Sequence, residues 1–220
     1  MRLKYALVVF DWDGTLMDSI GRIISSMQAC ARQLKLPVPS EQAVKDVIGL
    51  SLEPAIAGLF GRLTEQQHAA FLQAYKHEYV VANQTPTPLF NETLPLLHEL
   101  RQAGATLAVA TGKARPGLDR VLTEHCLEDY FAVTRCAGET RSKPDPQMLQ
   151  EIMAHSGMTS AQTVLVGDSV HDLAMAANAG VASIGVTHGV HDRTRLARHN
   201  PIAIVDQLSE LKSHIFAGES

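Results

Sequence analysis

Two stretches of this chain set a pair of carboxylates directly after an apolar run. The run Tyr5–Phe10 (YALVVF) leads into Asp11-Trp12-Asp13-Gly14-Thr15-Leu16, and Val164-Leu165-Val166 leads into Gly167-Asp168-Ser169-Val170-His171-Asp172. Asp11 and Asp13 can reach one pocket if the chain turns at Gly14, and two ionised carboxylates that close together call for a cation. Asp172 falls four residues after Asp168, which brings the two near each other once a helix has begun. Hard oxygen donors of this kind suit Mg²⁺, which takes one or two carboxylates and keeps several waters. Two further stretches fit phosphate chemistry. Thr111-Gly112 follows the apolar Leu107–Ala110 and offers a hydroxyl and free amides to a phosphoryl oxygen. Lys143, in a loop stiffened by Pro144 and Pro146, offers a fixed ammonium that could offset phosphoryl charge. Each signal alone has a plainer alternative: an Asp-Gly or Thr-Gly turn, a surface lysine, or a helix cap at Asp168 or Ser169.

The elements that must hold these residues alternate. Apolar runs without polar alternation read as strands buried on both faces, as in a parallel sheet. They are Tyr5–Phe10, Thr106–Ala110, Phe131–Thr134, Thr163–Val166, Val181–Val186 and, more weakly, Ala203–Val205. Helical stretches lie between them at Glu92–Gln102, Pro116–His125, Pro146–Ser156, His171–Ala179 and Leu208–Phe216. Gly104, Gly157 and Gly180 stand where helix C-termini favour glycine. The pattern predicts an α/β fold, a doubly wound, Rossmann-like parallel sheet. Residues 18–83 break it with four helical segments and no strand, which predicts a helical cap inserted between a core of residues 1–17 and 84–220. A long helical crossover packed on the sheet is the other reading of that segment.

Bulk properties narrow the function. The 220 residues are 45% hydrophobic and 19% charged, with a net charge of −4. That balance suits a globular chain with a core of its own and offers no positive field for nucleic acid or anionic lipid. The basic stretch Arg193, Arg195 and Arg198 reads as a solvated helix face. Three cysteines without a CxxC pair suggest reduced thiols. No signal peptide or membrane span is expected, and the expected compartment is the cytoplasm.

Taken in order, DWDGTL at 11–16, the apolar run ending in Thr111, Lys143 in SKPDP and GDSVHD at 167–172 resemble the haloacid dehalogenase superfamily. The resemblance is to its helical-cap, phosphoglycolate phosphatase-like members and covers nearly the whole chain. It implies a Mg²⁺-dependent phosphatase of a small phosphate monoester, phosphoglycolate-like or a sugar phosphate, working through an aspartyl-phosphate. Asp11 would be the nucleophile and Asp13 the acid, then base. Thr111 and Gly112 would bind phosphoryl oxygens with Lys143. Asp11, Asp13 (through its carbonyl), Asp168 and Asp172 would hold the metal, with Ser169 supporting that loop. The implied partner is a small phosphorylated metabolite.

Asp13 separates reactions within the resemblance, because an acid there serves a leaving alkoxide that needs a proton. Phosphonatases need a cap lysine, and none of Lys35, Lys45 and Lys76 is singled out. A phosphosugar mutase of the same fold and a non-enzymatic phosphoaspartate switch or binding protein are the alternatives. Substrate selection is expected from the cap loop around Gly49 and Ser51 and from Lys113 and Arg115. Relatives often carry Asn where this chain has Gly112. His188 and His191 read as surface or core-edge histidines, and Trp12 as packing beside Asp11.

Overall fold

The computed structural model describes residues 2–217. Strand β1 (Leu7–Phe10) is followed by four helices, α1 (Ile20–Gln33), α2 (Glu41–Val47), α3 (Leu52–Phe60) and α4 (Glu65–His77), the last continued by a π-helical turn at Glu78–Ala82. Strands and helices then alternate through α5 (Thr93–Gln102), β2 (Thr106–Ala114), α6 (Arg115–Glu124), β3 (Val133–Ala137) and α7 (Gln147–Ser156). The series ends with β4 (Thr163–Gly167), α8 (Val170–Ala179), β5 (Ala182–Val186), α9 (Arg193–Ala197), β6 (Ala203–Val205) and the short α10 (Lys212–Ile215).

The six strands form one parallel sheet in the order β3-β2-β1-β4-β5-β6. Alternate residues of each central strand serve opposite faces. Val8, Phe10, Leu107, Val109, Val164 and Val166 pack with α5 and α6 on one side. Leu7, Val9, Ala108, Ala110 and Leu165 pack with α7 and α8 on the other. Burial on both faces is why these strands read as unbroken apolar runs. The chain winds from β1 outward to β3, returns to β4 beside β1, and winds outward again. Strand order therefore reverses between β1 and β4, and in open sheets of this kind ligands bind at the carboxyl ends beside such a reversal.

The helices between β1 and α5 build a core of their own. In α1, Ile23, Ile24, Met27, Cys30 and Ala31 are buried at helical spacing, giving one apolar stripe. That stripe meets Val44, Ile48, Ile56 and the fully buried Phe71. Chain entry and exit are tied together. Met17 bridges Leu89, Asp18 N–H donates to Pro88 O at 2.8 Å, and Phe90 N–H donates to Leu16 O at 3.1 Å.

Two sequence expectations shift. Strand β2 runs on to Ala114, with two extra residues relative to β3 between Ala110 and Ala114, so Thr111-Gly112-Lys113 lies in an irregularity of the ladder. Such bulges re-aim side chains. The Leu208–Phe216 helix is a 3₁₀ turn at Leu208–Leu211 followed by α10.

Candidate active site

Asp11 and Asp168 emerge from neighbouring strands at the point where strand order reverses. Asp11 N–H donates to Val166 O at 3.0 Å, which continues the β1–β4 ladder to the crevice. Just beyond, Gly14 has φ +83°, and a Cβ there would collide with Asp168. Only glycine combines that backbone with that approach.

Asp11, Asp168 and Asp172 are all buried and each offers an oxygen within 4.8 Å of the others. The buried Lys143 ammonium lies 2.8 Å from Asp11 and 2.6 Å from Asp172. Three carboxylates against one ammonium leave two negative charges uncompensated. The strain shows in the acidities. Burial and the neighbouring Asp172 push Asp168 up to about 7. Burial first, then Asp172, holds Asp11 well above the usual carboxylate range. Burial opposes the charge on Lys143, but Asp11 and Asp172 outweigh it and raise its pKa.

The carboxylates differ in what holds them. Asp168 accepts hydrogen bonds from Thr15 Oγ1 and from Val190 N–H, both at 2.8 Å. Asp172 accepts at Oδ2 from Ser169 N–H (3.1 Å) and Ser169 Oγ (2.6 Å), while its Oδ1 faces Lys143. Ser169 is also the N-cap of α8, so capping and site support coincide in one residue. Asp11 differs: despite the ion pair, neither of its oxygens has an aligned hydrogen bond among the described residues. A buried carboxylate held by one ion pair and no aligned hydrogen bond is costly. A divalent cation bound by Asp11 and its neighbours fits both this orphaned group and the excess charge.

Asp13 sits apart from the trio. Ser19 Oγ donates to it at 2.6 Å and the Lys113 ammonium lies 2.9 Å away. Lys113 also reaches the Tyr79 hydroxyl at 3.4 Å. Asp11, Asp13, Thr111, Gly112 and Lys113 all line one cavity of about 490 Å³, together with Gly49 and Leu50 from the helical segment. The Thr111 hydroxyl accepts from Lys113 N–H at 3.1 Å, which orients it within the β2 irregularity.

The loop before α3 presses against the strand ends. A Cβ on Gly112 would lie 2.5 Å from Leu50 O and 2.8 Å from Gly49 O, and one on Gly49 would lie 2.8 Å from Ser169 Oγ. Glycine at 112 is what admits the loop this closely. Ser51 faces elsewhere: its N–H donates to Ser142 Oγ at 2.9 Å, and it is not among the lining residues. Arg115 is also outside the cavity, its guanidinium engaged by Glu139 at 2.7 and 3.0 Å and by Thr134 at 2.8 Å.

In the basic stretch Arg193 and Arg198 are exposed, as a solvated face requires, and Arg195 is half-buried. Arg195 pairs with Asp46 of α2, and buried His191 lies 3.6 Å from the same carboxylate. Burial lowers His191 to about 4. His188 is half-buried against Phe90 and the Thr15 carbonyl, at the edge of the core. Trp12 is fully buried and its N–H meets the Met17 sulfur.

Sequence reasoning passed over Thr15, Ser19 and the Tyr75–Tyr79 pair. Thr15 carried a signal, a hydroxyl just after Asp-Gly inside the first motif. Ser19 and the tyrosines carried none, because their roles depend on how the helices fold back.

The fold and site define a hydrolase class, and comparison with known proteins agrees. The haloacid dehalogenase-like hydrolase family model matches residues 8–186, and the chain belongs to that family. It is 36% identical to "Probable phosphatase IndB" of Dickeya dadantii, over 93% of this chain and 91% of that one. It is 30% identical to a phosphoglycolate phosphatase of Vibrio parahaemolyticus, over 93% of each. The crystal structure of a "Putative haloacid dehalogenase-like hydrolase" from Bacteroides fragilis superposes with a TM-score of 0.87 at 28% identity, covering 94% of this chain and all of that one.

Proposed function

We propose that this protein is a Mg²⁺-dependent phosphatase that hydrolyses a phosphate monoester through an aspartyl-phosphate on Asp11. The observation carrying the proposal is the buried Asp11–Asp168–Asp172–Lys143 cluster at the reversal of strand order, opening into a cavity that also holds Asp13 and Thr111.

An Asp11 oxygen attacks phosphorus, an acyl-phosphate bond forms, and the P–O bond to the alcohol breaks. Asp13 gives its proton to the departing oxygen, then takes one from the water that cleaves the acyl-phosphate. Lys143, Thr111 and the Gly112 amide hold the phosphoryl oxygens and offset their charge. Ser19 and Lys113 keep Asp13 aimed at the leaving oxygen. Asp11, the Asp13 carbonyl and Asp168 would hold Mg²⁺, with Asp172 behind them steadying Lys143. When bound, the cation supplies positive charge that lets the crowded anions share one site with substrate.

Residues 18–83 act as a cap that closes over the leaving group, a reading supported by the Leu50–Gly112 contact. The partner is a small phosphorylated metabolite. Among the described residues no helix is long and apolar enough to cross a membrane. A cytoplasmic setting is supported by the free cysteines Cys30, Cys126 and Cys136.

The test is a panel of phosphate esters, phosphoglycolate included, assayed with and without Mg²⁺, with mass spectrometry of acid-quenched protein. Released phosphate and a phosphate adduct on the Asp11 peptide are expected. Turnover without any adduct would refute the covalent route.

A further inference from the structure

We infer that the alcohol portion of the substrate is apolar, an aryl or alkyl group and not a small acid or a sugar. The inference rests on the phosphatase reading above and specifies its substrate class. It starts from the cavity into which a group leaving Asp11 must project. The helical side of that cavity is lined by Ile23, Met27, Val44, Ile48, Leu52 and Leu72. Tyr75 and Tyr79 add an aromatic face, stacked on each other with ring centroids 5.8 Å apart and planes 27° apart.

A carboxylate on the leaving group, as in phosphoglycolate, needs a free cation. A sugar needs a set of donors and acceptors, because a ligand hydroxyl buried without a partner loses its hydrogen bonds to water. The cavity is poor in both: beyond Asp11, Asp13, Thr111 and Lys113 at the strand ends, its polar lining side chains are Tyr75, Tyr79, Lys76 and Arg120, against a majority of aliphatic ones. Lys113 is committed to Asp13 at 2.9 Å, and Arg115 turns away to Glu139. Arg120 and Lys76 also line the cavity, but Arg120 pairs with Glu124 at 3.4 Å and Lys76 is solvent-exposed. Size points the same way. About 490 Å³ lies within the ~300–1,000 Å³ of sites that enclose drug-sized ligands, far more room than a two-carbon acid fills. An apolar group there would release water from the aliphatic wall and lie against the tyrosine face.

A series of n-alkyl phosphates from ethyl to hexyl tests this with the intact protein and Mg²⁺. The alcohols differ little in acidity, so the chemistry at phosphorus stays constant while buried apolar area grows. We expect kcat/KM to rise about fourfold per methylene until the cavity fills. Hexyl phosphate should then exceed phosphoglycolate by tenfold or more. A flat series, or phosphoglycolate preferred over hexyl phosphate, would overturn the inference and leave the phosphatase reading intact. No turnover of any ester, a reactive aryl phosphate included, would overturn both. Leu72→Gln should flatten the slope along the series. That slope is a ratio within one variant, so partial misfolding does not alter it. An unchanged slope would overturn the assignment to this cavity.

Discussion

The cavity has two walls of opposite character. Its floor, at the strand ends of the sheet, carries Asp11, Thr111 and Lys113, with Lys143, Asp168 and Asp172 buried beside it. Its roof, from α1 to α4, is mostly aliphatic and aromatic. The floor concentrates charge where a phosphoryl group would sit, and the roof excludes water from whatever is attached to it. A site divided this way separates reaction from selection. Changes in the floor should act on turnover, and changes in the roof should act on which ester is chosen.

The sharpest way to break that division is Asp11→Asn. It should lower kcat by on the order of 10⁴ or more and remove the phosphate adduct, while circular dichroism stays unchanged. Asp13→Asn should cost about 10²–10⁴ in kcat, and less with aryl than with alkyl esters. Equal losses for both ester types would remove Asp13 from the acid role.

Lys143→Met leaves three buried carboxylates without their ammonium. In EDTA it should destabilise the fold by about 3–5 kcal/mol in urea titrations. Added Mg²⁺ should restore part of that loss, because it brings back positive charge to the same anions. Acidity offers a gentler probe of the floor. The folded-state pKa of Asp168, about 7, stands above the unfolded value of ~3.9, so the folded protein binds the extra proton between them. Stability of the metal-free protein is then greatest below about pH 4 as far as this group is concerned, and is lost as pH rises through 7. Thermal melts in EDTA should show Tm falling from pH 5 to pH 8, and millimolar Mg²⁺ should flatten that trend.

The smallest effect is expected where floor and roof touch. Gly112→Asn would drive a side chain into Leu50 O and lift the roof loop. We expect KM to rise about tenfold with little change in Tm, since binding then includes a strained closure. An unchanged KM would mean that the loop yields freely.

The floor was largely legible in the sequence because Asp11, Thr111 and Asp168 stand at or just past the ends of apolar runs, and a strand buried on both faces announces its own end. Asp11, Thr111 and Asp168 were found that way, and Lys143 by its prolines. The order of the strands was not legible, since neither pattern nor spacing says that β4 returns beside β1. The roof was legible only as helices. Gly49 reaches the cavity and Ser51 does not, a difference set by the turn into α3. Arg115 follows Lys113 by two residues, yet the β2 irregularity sends one toward Asp13 and the other to Glu139. Gly112 looked like a missing amide; in three dimensions it is clearance for a backbone.

The pairing of Met17 with Leu89 has a consequence for the history of such a molecule. The inserted helices leave and rejoin the sheet through two adjacent backbone segments, as a drawer slides on one pair of runners. Whatever lies between those runners can lengthen, shrink or be exchanged wholesale without re-registering a single strand. The roof can thus vary in length while the strand ends below it keep their places.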